Sequence, residues 1–288
     1  MSNVLPYRLL DSGNCKKLEQ AGPYKIIRPA LNAFWKPELP QKEWDSADAE
    51  FHRESTGGGI WNWKRKHDDE WKISWGSLTL LSKPTNFGHL GFFAEQAGNW
   101  DWLRNCVKQI PGTPRTMNLF AYSGGATLAM AQAGAEVTHL DASKGIIEWA
   151  KKNQKLNPST ENKIRWICDD AMKFVAREQR RGSKYNGIVL DPPSFGRGAQ
   201  GQVWKIESGL EKLLLDCRAI LDLSKPHFLL LSCHSPGFSP VSLARCLAAV
   251  FPEDADFIQP KEMLIPDGNG KFLPAGICAT LFRPQAKK

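Results

Sequence analysis

Strand and helix signals alternate along the chain from Arg115 onward, and this alternation limits the possible folds most strongly. Short apolar runs predict strands at 117–121, 137–140, 164–167, 188–190 and 228–232. Between them, apolar residues at helical spacing predict helices at 126–133, 144–156, 171–180 and 210–221. Regular alternation of this kind predicts an α/β fold with a doubly wound, mostly parallel sheet.

Both ends of the chain depart from this pattern. Seven of the eleven tryptophans fall within the first 100 residues, where short strands are predicted at 24–28, 60–64, 71–75 and 77–82. At the other end, β runs at 257–265 and 276–282 flank the turn Pro266–Gly270 and predict an antiparallel hairpin. We therefore predict a small β-rich N-terminal domain over residues 1–93, followed by an α/β domain over residues 94–288.

Composition and charge narrow the class of protein. The chain has 288 residues, 42% of them hydrophobic, which is enough for a sizeable core. Its net charge is +8 and its pI is near 9.1, a balance that favours polyanionic partners such as RNA. Seven cysteines with no Cys-x-x-Cys pair indicate neither a disulfide framework nor a zinc site.

No targeting signal is recognised in the sequence, and we therefore expect a cytoplasmic protein. The first residues lack the apolar run of a signal peptide. The longest apolar runs, such as 228–231, are far too short to span a bilayer, so we expect no membrane association. The cysteine spacing gives the separate expectation that no metal is bound.

The first predicted strand of the α/β domain leads into a glycine turn, Asn118-Leu-Phe-Ala-Tyr-Ser-Gly-Gly125. A glycine there lets the backbone approach a ligand, and the following helix N-terminus favours negative charge. The turn is not Gly-x-Gly-x-x-Gly, so the dinucleotide fingerprint is absent. The next two strands end near Asp141 and Asp170, which could accept hydrogen bonds from ribose hydroxyls and an adenine amine. An acid at such a position is by itself more often a helix cap than a ligand, but together the acids and the glycine turn predict an adenosine-containing cofactor.

The fourth predicted strand, 188–190, ends in Asp191-Pro-Pro-Ser-Phe195. Two prolines remove two backbone donors and take the chain stiffly out of the sheet. Ligands of open α/β sheets bind at the carboxyl ends of the strands, so Asp191 is expected to face the substrate. A carboxylate on a rigid turn, followed by an aromatic ring, suits a flat base that forms hydrogen bonds.

These motifs resemble those of class I S-adenosylmethionine-dependent methyltransferases, and more narrowly the family of large-subunit ribosomal-RNA cytosine-C5 methyltransferases. The segment Gly88–Gln96 also resembles the stretch before that family's catalytic domain, and the resemblance covers about residues 85–285. It implies a Rossmann-like methyltransferase sheet, S-adenosylmethionine as cofactor and ribosomal RNA as partner. The implied cofactor-binding residues are Asn118, Phe120, Ala121, Tyr122, Gly124, Asp141, Ser143, Asp170, Ala171, Asp191 and Pro192; the implied substrate-binding residues are Pro193, Phe195 and Arg197.

The fifth predicted strand ends in Ser232-Cys233-His234, and the same resemblance implies a catalytic cysteine here. Cys233 would add to C6 of cytosine as a nucleophile, and Asp191 would act as the acid near N3. The alternative is that Cys233 packs in the core, as free cysteines often do.

The sequence also leaves three other functions open. A base-nitrogen methyltransferase acting on guanine or adenine would need Asp191 and an aromatic residue but not Cys233. An NAD-linked dehydrogenase is opposed by the missing glycine fingerprint and the terminal hairpin. A non-catalytic RNA-binding protein could keep a degenerate methyltransferase fold. The N-terminal tryptophans and cations, including Trp61, Trp63 and Lys64–Lys66, either help to hold RNA or form a small β core.

Overall fold

The computed structural model describes residues 4–54, 57–197, 203–235 and 237–285. The chain divides into two compact units, Met1–Ala97 with Leu264–Ala275, and Gly98–Met263 with Gly276–Lys288. The tip of the C-terminal hairpin thus belongs to the first unit. The predicted domain limits, 1–93 and 94–288, stay a prediction.

The first unit contains a five-stranded sheet in the order β1-β2-β3-β4-β5 and a separate hairpin, β6-β7. Neighbouring strands of the sheet are antiparallel except for the parallel pair β3–β4. The elements are β1 Tyr7–Gly13, β2 Lys16–Ala21, β3 Tyr24–Pro29, α1 Gln41–Asp45, β4 Ala49–Arg53, β5 Gly59–Trp63, β6 Trp71–Trp75 and β7 Leu78–Ser82. The four strands predicted from the sequence are present here, while β1, β2 and β4 were not predicted.

The second unit is built on a seven-stranded sheet in the order β10-β9-β8-β11-β14-β16-β15. Strands β8, β9, β10, β11 and β14 run parallel, and β16 runs antiparallel to β14. The strands are β8 Arg115–Leu119, β9 Glu136–Asp141, β10 Ile164–Cys168, β11 Gly187–Leu190, β14 His227–Cys233, β15 Ile258–Pro266 and β16 Phe272–Arg283. A two-stranded ribbon pairs β12 Phe195–Arg197 with β13 Val203–Lys205. The predicted doubly wound sheet with a C-terminal hairpin is confirmed.

Helices cover both faces of this sheet. They are α2 Ala97–Gln109, α3 Gly125–Gln132, α4 Lys144–Lys155, α5 Ala171–Arg180, α6 Ile206–Ile220 and α7 Pro240–Val250. Side chains of β14 alternate: Leu229 and Leu231 join a core cluster with α5, α6 and α7, whereas Phe228 and Leu230 join one with α2 and α3. This period of two, with both faces apolar, is what a buried parallel strand requires.

Helix α7 was not predicted, although its start carries a clear signal. The Ser239 hydroxyl accepts a hydrogen bond from the backbone N–H of Ser242, the Ser242 hydroxyl accepts one from the backbone N–H of Ser239, and Pro240 follows the cap. This reciprocal capping satisfies donors at the helix N-terminus. Among the described residues, no helix has both the length and the apolar character needed to cross a membrane.

The first unit has a buried charged centre at Glu19, whose side chain is fully buried. Arg28 donates from Nε to Oε2 at 2.7 Å and from Nη2 to Oε1 at 2.8 Å, and the Tyr7 hydroxyl donates to Oε1 at 2.5 Å. Burial raises the pKa of Glu19, but Arg28, Lys17 and the hydrogen bonds outweigh it and lower the pKa to about 2. The Arg28 guanidinium also donates to the carbonyl oxygen of Gly88, so this centre joins distant parts of the unit.

Glu19→Gln should therefore destabilise the first unit by about 3–5 kcal/mol, because it leaves the Arg28 charge buried without its counter-charge. The loss is measured as the free energy of unfolding in denaturant, followed by tryptophan fluorescence at neutral pH. An ordinary glutamate titrates near pH 4.3 when unfolded. The lowered native pKa therefore contributes stability above about pH 4.3, and that contribution disappears as the pH falls toward about 2.

Glu50→Gln is the matched control, because Glu50 pairs with Lys16 at 2.6 Å in a solvent-accessible position. Such pairs contribute roughly 0–1 kcal/mol. Equal losses in the two variants would contradict the assignment of Glu19 as a buried charged centre.

Candidate functional site

The loop after β8 has an unusual backbone. Phe120 has a φ of 56° and Tyr122 a φ of 49°, and Gly124, which precedes α3, has a φ of 93°. Left-handed conformations at non-glycine residues cost of order 1–3 kcal/mol each and tend to occur at functional sites. At Gly124 a Cβ would also lie 3.4 Å from Cβ of Ala150 and 3.6 Å from Cε1 of His139. The turn thus needs glycine for its backbone angle and fits closely over the residues below it.

The carboxylate of Asp141 is fixed by this loop and by the start of α4. Its Oδ2 accepts the backbone N–H of Tyr122 at 3.0 Å, and its Oδ1 accepts that of Ser143 at 2.9 Å. Burial raises the pKa of Asp141, and the backbone hydrogen bonds oppose that rise. Ser143 caps α4 by accepting the N–H of Ile146. Asp141 is therefore positioned before any ligand binds.

A buried polar network lies beneath the glycine turn. Asn118 donates from Nδ2 to Oγ1 of Thr127 at 2.9 Å, and the same oxygen lies 2.9 Å from Nδ1 of His139. Burial lowers the pKa of His139 to about 3, so the ring is neutral near pH 7. Asn118 and Ala121 are both buried, and Asn118 supports the turn from below. Direct contact of either with the cofactor stays a prediction.

Strand β10 ends beside Asp141, since the backbone N–H of Asp169 donates to the Asp141 carbonyl at 3.2 Å. Asp170 is the N-cap of α5, where its Oδ1 accepts the N–H of Lys173 at 2.9 Å, and Ala171 begins that helix as a buried residue. The capping role that the sequence left open for Asp170 is thus observed. The adenine contact predicted for Asp170 and Ala171 stays a prediction.

Strand β11 brings Asp191 to the same edge, followed by buried Pro192 and exposed Pro193. Oδ1 of Asp191 lies 3.8 Å from Nε2 of His234, which follows β14. The hydroxyls of Ser194 and Ser235 are 2.5 Å apart and join the same two loops. The acid predicted to face the substrate is therefore next to a titratable imidazole.

Cys233 is the last residue of β14, and its side chain is fully buried. It belongs to the same core cluster as Leu231 and Leu243, and its Sγ accepts the backbone N–H of Ser235 at 3.3 Å. The packing role that the sequence left open is observed in this conformation. A base would reach Sγ only after the Cys233–Ser235 segment moved.

An aromatic side chain that the sequence analysis did not select lies beside the acid-Pro-Pro turn. The indole Nε1 of Trp204 donates to the carbonyl oxygen of Pro193 at 2.7 Å, and its ring lies 5.8 Å from that of Phe120. In the register of β12 and β13, Trp204 pairs with Gly196, and the exposed Phe195 pairs with Lys205. Adjacent pairs point to opposite faces, so Phe195 faces away from Trp204.

The remaining predictions for the site concern Arg197 and metal binding. The backbone of Arg197 belongs to β12, but its side chain lies outside the described residues. Within the described part of the chain, no group of three or more His, Cys, Asp or Glu side chains is arranged to hold a metal ion.

Comparisons with known proteins show which family the chain is similar to. Residues 85–240 match the family model described as S-adenosylmethionine-dependent methyltransferase. The chain is similar to a crystal structure of the SAM-dependent methyltransferase from Agrobacterium tumefaciens. The two are 38% identical with a TM-score of 0.89, and the match covers 98% of this chain and 92% of that one.

Curated relatives match over a shorter stretch. The ribosomal RNA large subunit methyltransferase I of Aeromonas salmonicida is 30% identical over 147 residues, which are 50% of this chain and 33% of the relative. The ribosomal RNA large subunit methyltransferase K/L of Syntrophotalea carbinolica is 27% identical over 144 residues, 50% of this chain and 19% of the relative. The chain thus spans about a third or less of the length of these relatives.

The family model covers more than half of the chain, and the Agrobacterium structure matches nearly all of it. The glycine turn, Asp141 and Asp191 lie within the matched residues, at the carboxyl edge of the sheet. The chain therefore belongs to the S-adenosylmethionine-dependent methyltransferase family, whose cofactor is S-adenosylmethionine.

Proposed function

We propose that the chain methylates ribosomal RNA, and that the acceptor atom is C5 of a cytosine. One observation carries the proposal: two acids lie on either side of the glycine turn at a single edge of the sheet. In the strand order β9-β8-β11, Asp141 is the last residue of β9, the turn follows β8 and Asp191 follows β11. Strand order reverses between β8 and β11, and open α/β sheets bind ligands at such a switch point.

The residues at the turn fit S-adenosylmethionine. A carboxylate already held by the backbone N–H groups of Tyr122 and Ser143 can accept hydrogen bonds from both ribose hydroxyls. Gly124, at a φ of 93°, gives the turn a backbone conformation that glycine adopts without strain. The N-terminus of α3 follows directly, and its positive end suits the carboxylate of the methionine moiety.

Ribosomal RNA as substrate is supported by the names of the relatives and by the chain's charge. Both curated relatives above are named as ribosomal RNA large subunit methyltransferases. A net charge of +8 suits a polyanionic partner. An enzyme of ribosomal RNA works where ribosomes are made, so the predicted cytoplasmic location is part of this proposal.

The proposed chemistry begins at Cys233. Its thiolate adds to C6 of cytosine, and the electron pair of the C5–C6 double bond is delocalised toward N3, where Asp191 donates a proton. The resulting enamine makes C5 nucleophilic. S-adenosylmethionine, when bound, supplies the electrophilic methyl group that C5 takes. A base then removes the C5 proton, the double bond re-forms, the Cys233 thiolate leaves and N3 returns its proton to Asp191.

A second candidate is methylation of a base nitrogen, and one observation favours it: Cys233 is fully buried. In that reaction the nitrogen lone pair attacks the methyl group directly, and Asp191 accepts a hydrogen bond from the amine and then takes its proton. Cys233 would keep its packing role. The NAD-linked dehydrogenase is set aside because the family model matches the core of the chain.

Asp141→Ala should weaken the binding of S-adenosylhomocysteine about tenfold or more, because a hydrogen bond to a charged group contributes roughly 1.5–3 kcal/mol. Isothermal titration calorimetry measures the loss. In the wild type, affinity should fall as the pH is lowered toward the raised pKa of Asp141, since protonation removes the charge that the ribose hydroxyls contact.

Asp170→Ser separates capping from binding in the same assay, because serine keeps the N-cap of α5 but lacks the carboxylate. A weakened affinity in this variant, with unchanged thermal stability, supports the adenine contact. Wild-type affinity in Asp141→Ala, or binding of NADH with no response to S-adenosylhomocysteine, would contradict the proposed cofactor site.

Ribosomal RNA containing 5-fluorocytosine should form a denaturation-resistant adduct with the wild-type protein, because fluorine at C5 blocks the final elimination. Cys233→Ala should abolish the adduct and methyl transfer while keeping cofactor binding. The adduct is detected as a shifted band on a denaturing gel.

Cys217→Ala is the matched control, because Cys217 is fully buried in the same core cluster as Cys233. Both variants lose a buried sulfur, so their stability losses should be similar and only Cys233→Ala should lose the adduct. Near wild-type methylation by Cys233→Ala would make base-nitrogen methylation the better assignment.

A further inference from the structure

The positive charge of the chain is concentrated in one segment. Residues 144–184 contain eleven lysines and arginines against five acids, so they hold six of the eight excess charges. Residues 1–97 contain thirteen lysines and arginines against twelve acids. The segment 144–184 corresponds to α4, β10 and α5 with their connections. A polyanion would therefore be attracted to this edge of the sheet rather than to the first unit.

Helix α4 gathers four of these cations on one face. Lys144, Lys151, Lys152 and Lys155 lie at spacings of 7, 8 and 11 residues from the first, within one side of a helical wheel. All but the partly exposed Lys151 are exposed, and the opposite side of the helix carries the buried Ile147, Ala150 and Asn153. The helix contains a single acid, Glu148, which pairs with Lys151 at 2.9 Å.

Three arginines on the α5 side are held near acids. Arg177 pairs with Asp169, Arg181 donates to Glu178 at 2.9 Å, and Arg165 lies 3.9 Å from the same carboxylate. These ion pairs engage arginine side chains that could otherwise contact a ligand. The lysine face of α4 is thus the part of the segment best able to bind anions.

Helix stability explains only part of this lysine face. Lys152 and Lys155 lie in the last turn, where cations interact favourably with the helix dipole. Lys144 is the first residue of the helix, where the dipole disfavours a cation. Lys144 also directly follows Ser143, the cap beside Asp141, so the lysine face begins at the cofactor site.

In the first unit, acids nearly balance the cations, and several of the cations form ion pairs. Lys16 pairs with Glu50 at 2.6 Å, and Arg65 donates to Asp48 at 2.5 Å. Trp61 and Trp63 are half-buried and pack with their rings 5.9 Å apart. The RNA-holding role predicted for this region stays a prediction, and its charge gives that role little support.

We propose that the lysine face of α4 binds the phosphate backbone of the RNA substrate. The face extends over about 16 Å, from Lys144 to Lys155, at 1.5 Å per residue. Lysine ammonium groups on flexible stems bind phosphates as point charges, without reading the base sequence. The inference rests on the proposed RNA substrate and assigns a surface that positions the RNA while its target base enters the site.

The test compares the wild type with the triple variant Lys151→Gln, Lys152→Gln, Lys155→Gln, because glutamine keeps the helix propensity but removes the charge. Binding to unmodified large-subunit ribosomal RNA transcript is measured at several salt concentrations. The triple variant should bind about tenfold more weakly or worse, and its slope of log affinity against log salt should be smaller by about 2. Its calorimetric affinity for S-adenosylhomocysteine should stay unchanged.

The matched control is the triple variant Lys36→Gln, Lys42→Gln, Lys72→Gln, which removes three exposed lysines of the first unit. It should change RNA affinity by no more than about twofold. Equal affinity and salt slope in wild type and α4 variant, or equal losses in both triple variants, would overturn the inference while leaving the proposed function intact.

Two further outcomes have distinct meanings. Loss of binding to phosphatidylglycerol vesicles by the α4 variant, with RNA binding unchanged, would assign the lysine face to a membrane surface and overturn the inference. A wild type that binds S-adenosylhomocysteine but neither binds nor methylates ribosomal RNA would overturn the proposed function together with the inference.

Discussion

The candidate site depends on one carboxylate that the backbone holds in place. Asp141 accepts N–H groups from Tyr122 in the loop after β8 and from Ser143 at the start of α4. These two hydrogen bonds fix the end of β9 relative to its neighbour β8. Burial raises the pKa of this carboxyl, and the backbone hydrogen bonds offset that rise only in part. A ligand that replaces water at this carboxylate would meet a site that is already oriented.

The proposed substrate side of the site is not arranged for nucleophilic attack by Cys233 in this conformation. Asp191 and His234 lie 3.8 Å apart at the carboxyl edge, and Ser194 and Ser235 link the loops around them. Cys233 is fully buried directly below. A packed thiol keeps the core closed, whereas a nucleophile must be reached by its target. Cys233 can serve both as a packed residue and as a nucleophile only if RNA binding moves the loop after β14. Methylation at cytosine C5 requires this movement, whereas methylation at a base nitrogen does not.

Much of the fold could be predicted from the sequence, because each parallel strand is a short apolar run followed by a helix with apolar residues on one side. The hairpin β1–β2 was missed because its turn is Asn14-Cys15, with both residues at positive φ, rather than the more recognisable Asn-Gly. Strand β4 was missed because its sequence, Ala49-Glu-Phe-His-Arg53, contains only two apolar residues, although it pairs antiparallel with β5 and over two residue pairs with β3.

The candidate site shows the same limit. The acids at strand ends could be selected because their positions follow from the strand pattern alone. Trp204 could not, since its partners Pro193 and Phe120 come together only in the folded chain. The burial of Cys233 depends on side chains from α6 and α7 that pack over the end of β14, which no spacing in the sequence reveals.

A crystal structure of the protein with S-adenosylhomocysteine would test the account most directly. The account predicts both ribose hydroxyls within hydrogen-bonding distance of the Asp141 carboxylate, with the sulfur facing the Asp191 turn. A ligand bound elsewhere, or one bound at this edge without contact to Asp141, would contradict it.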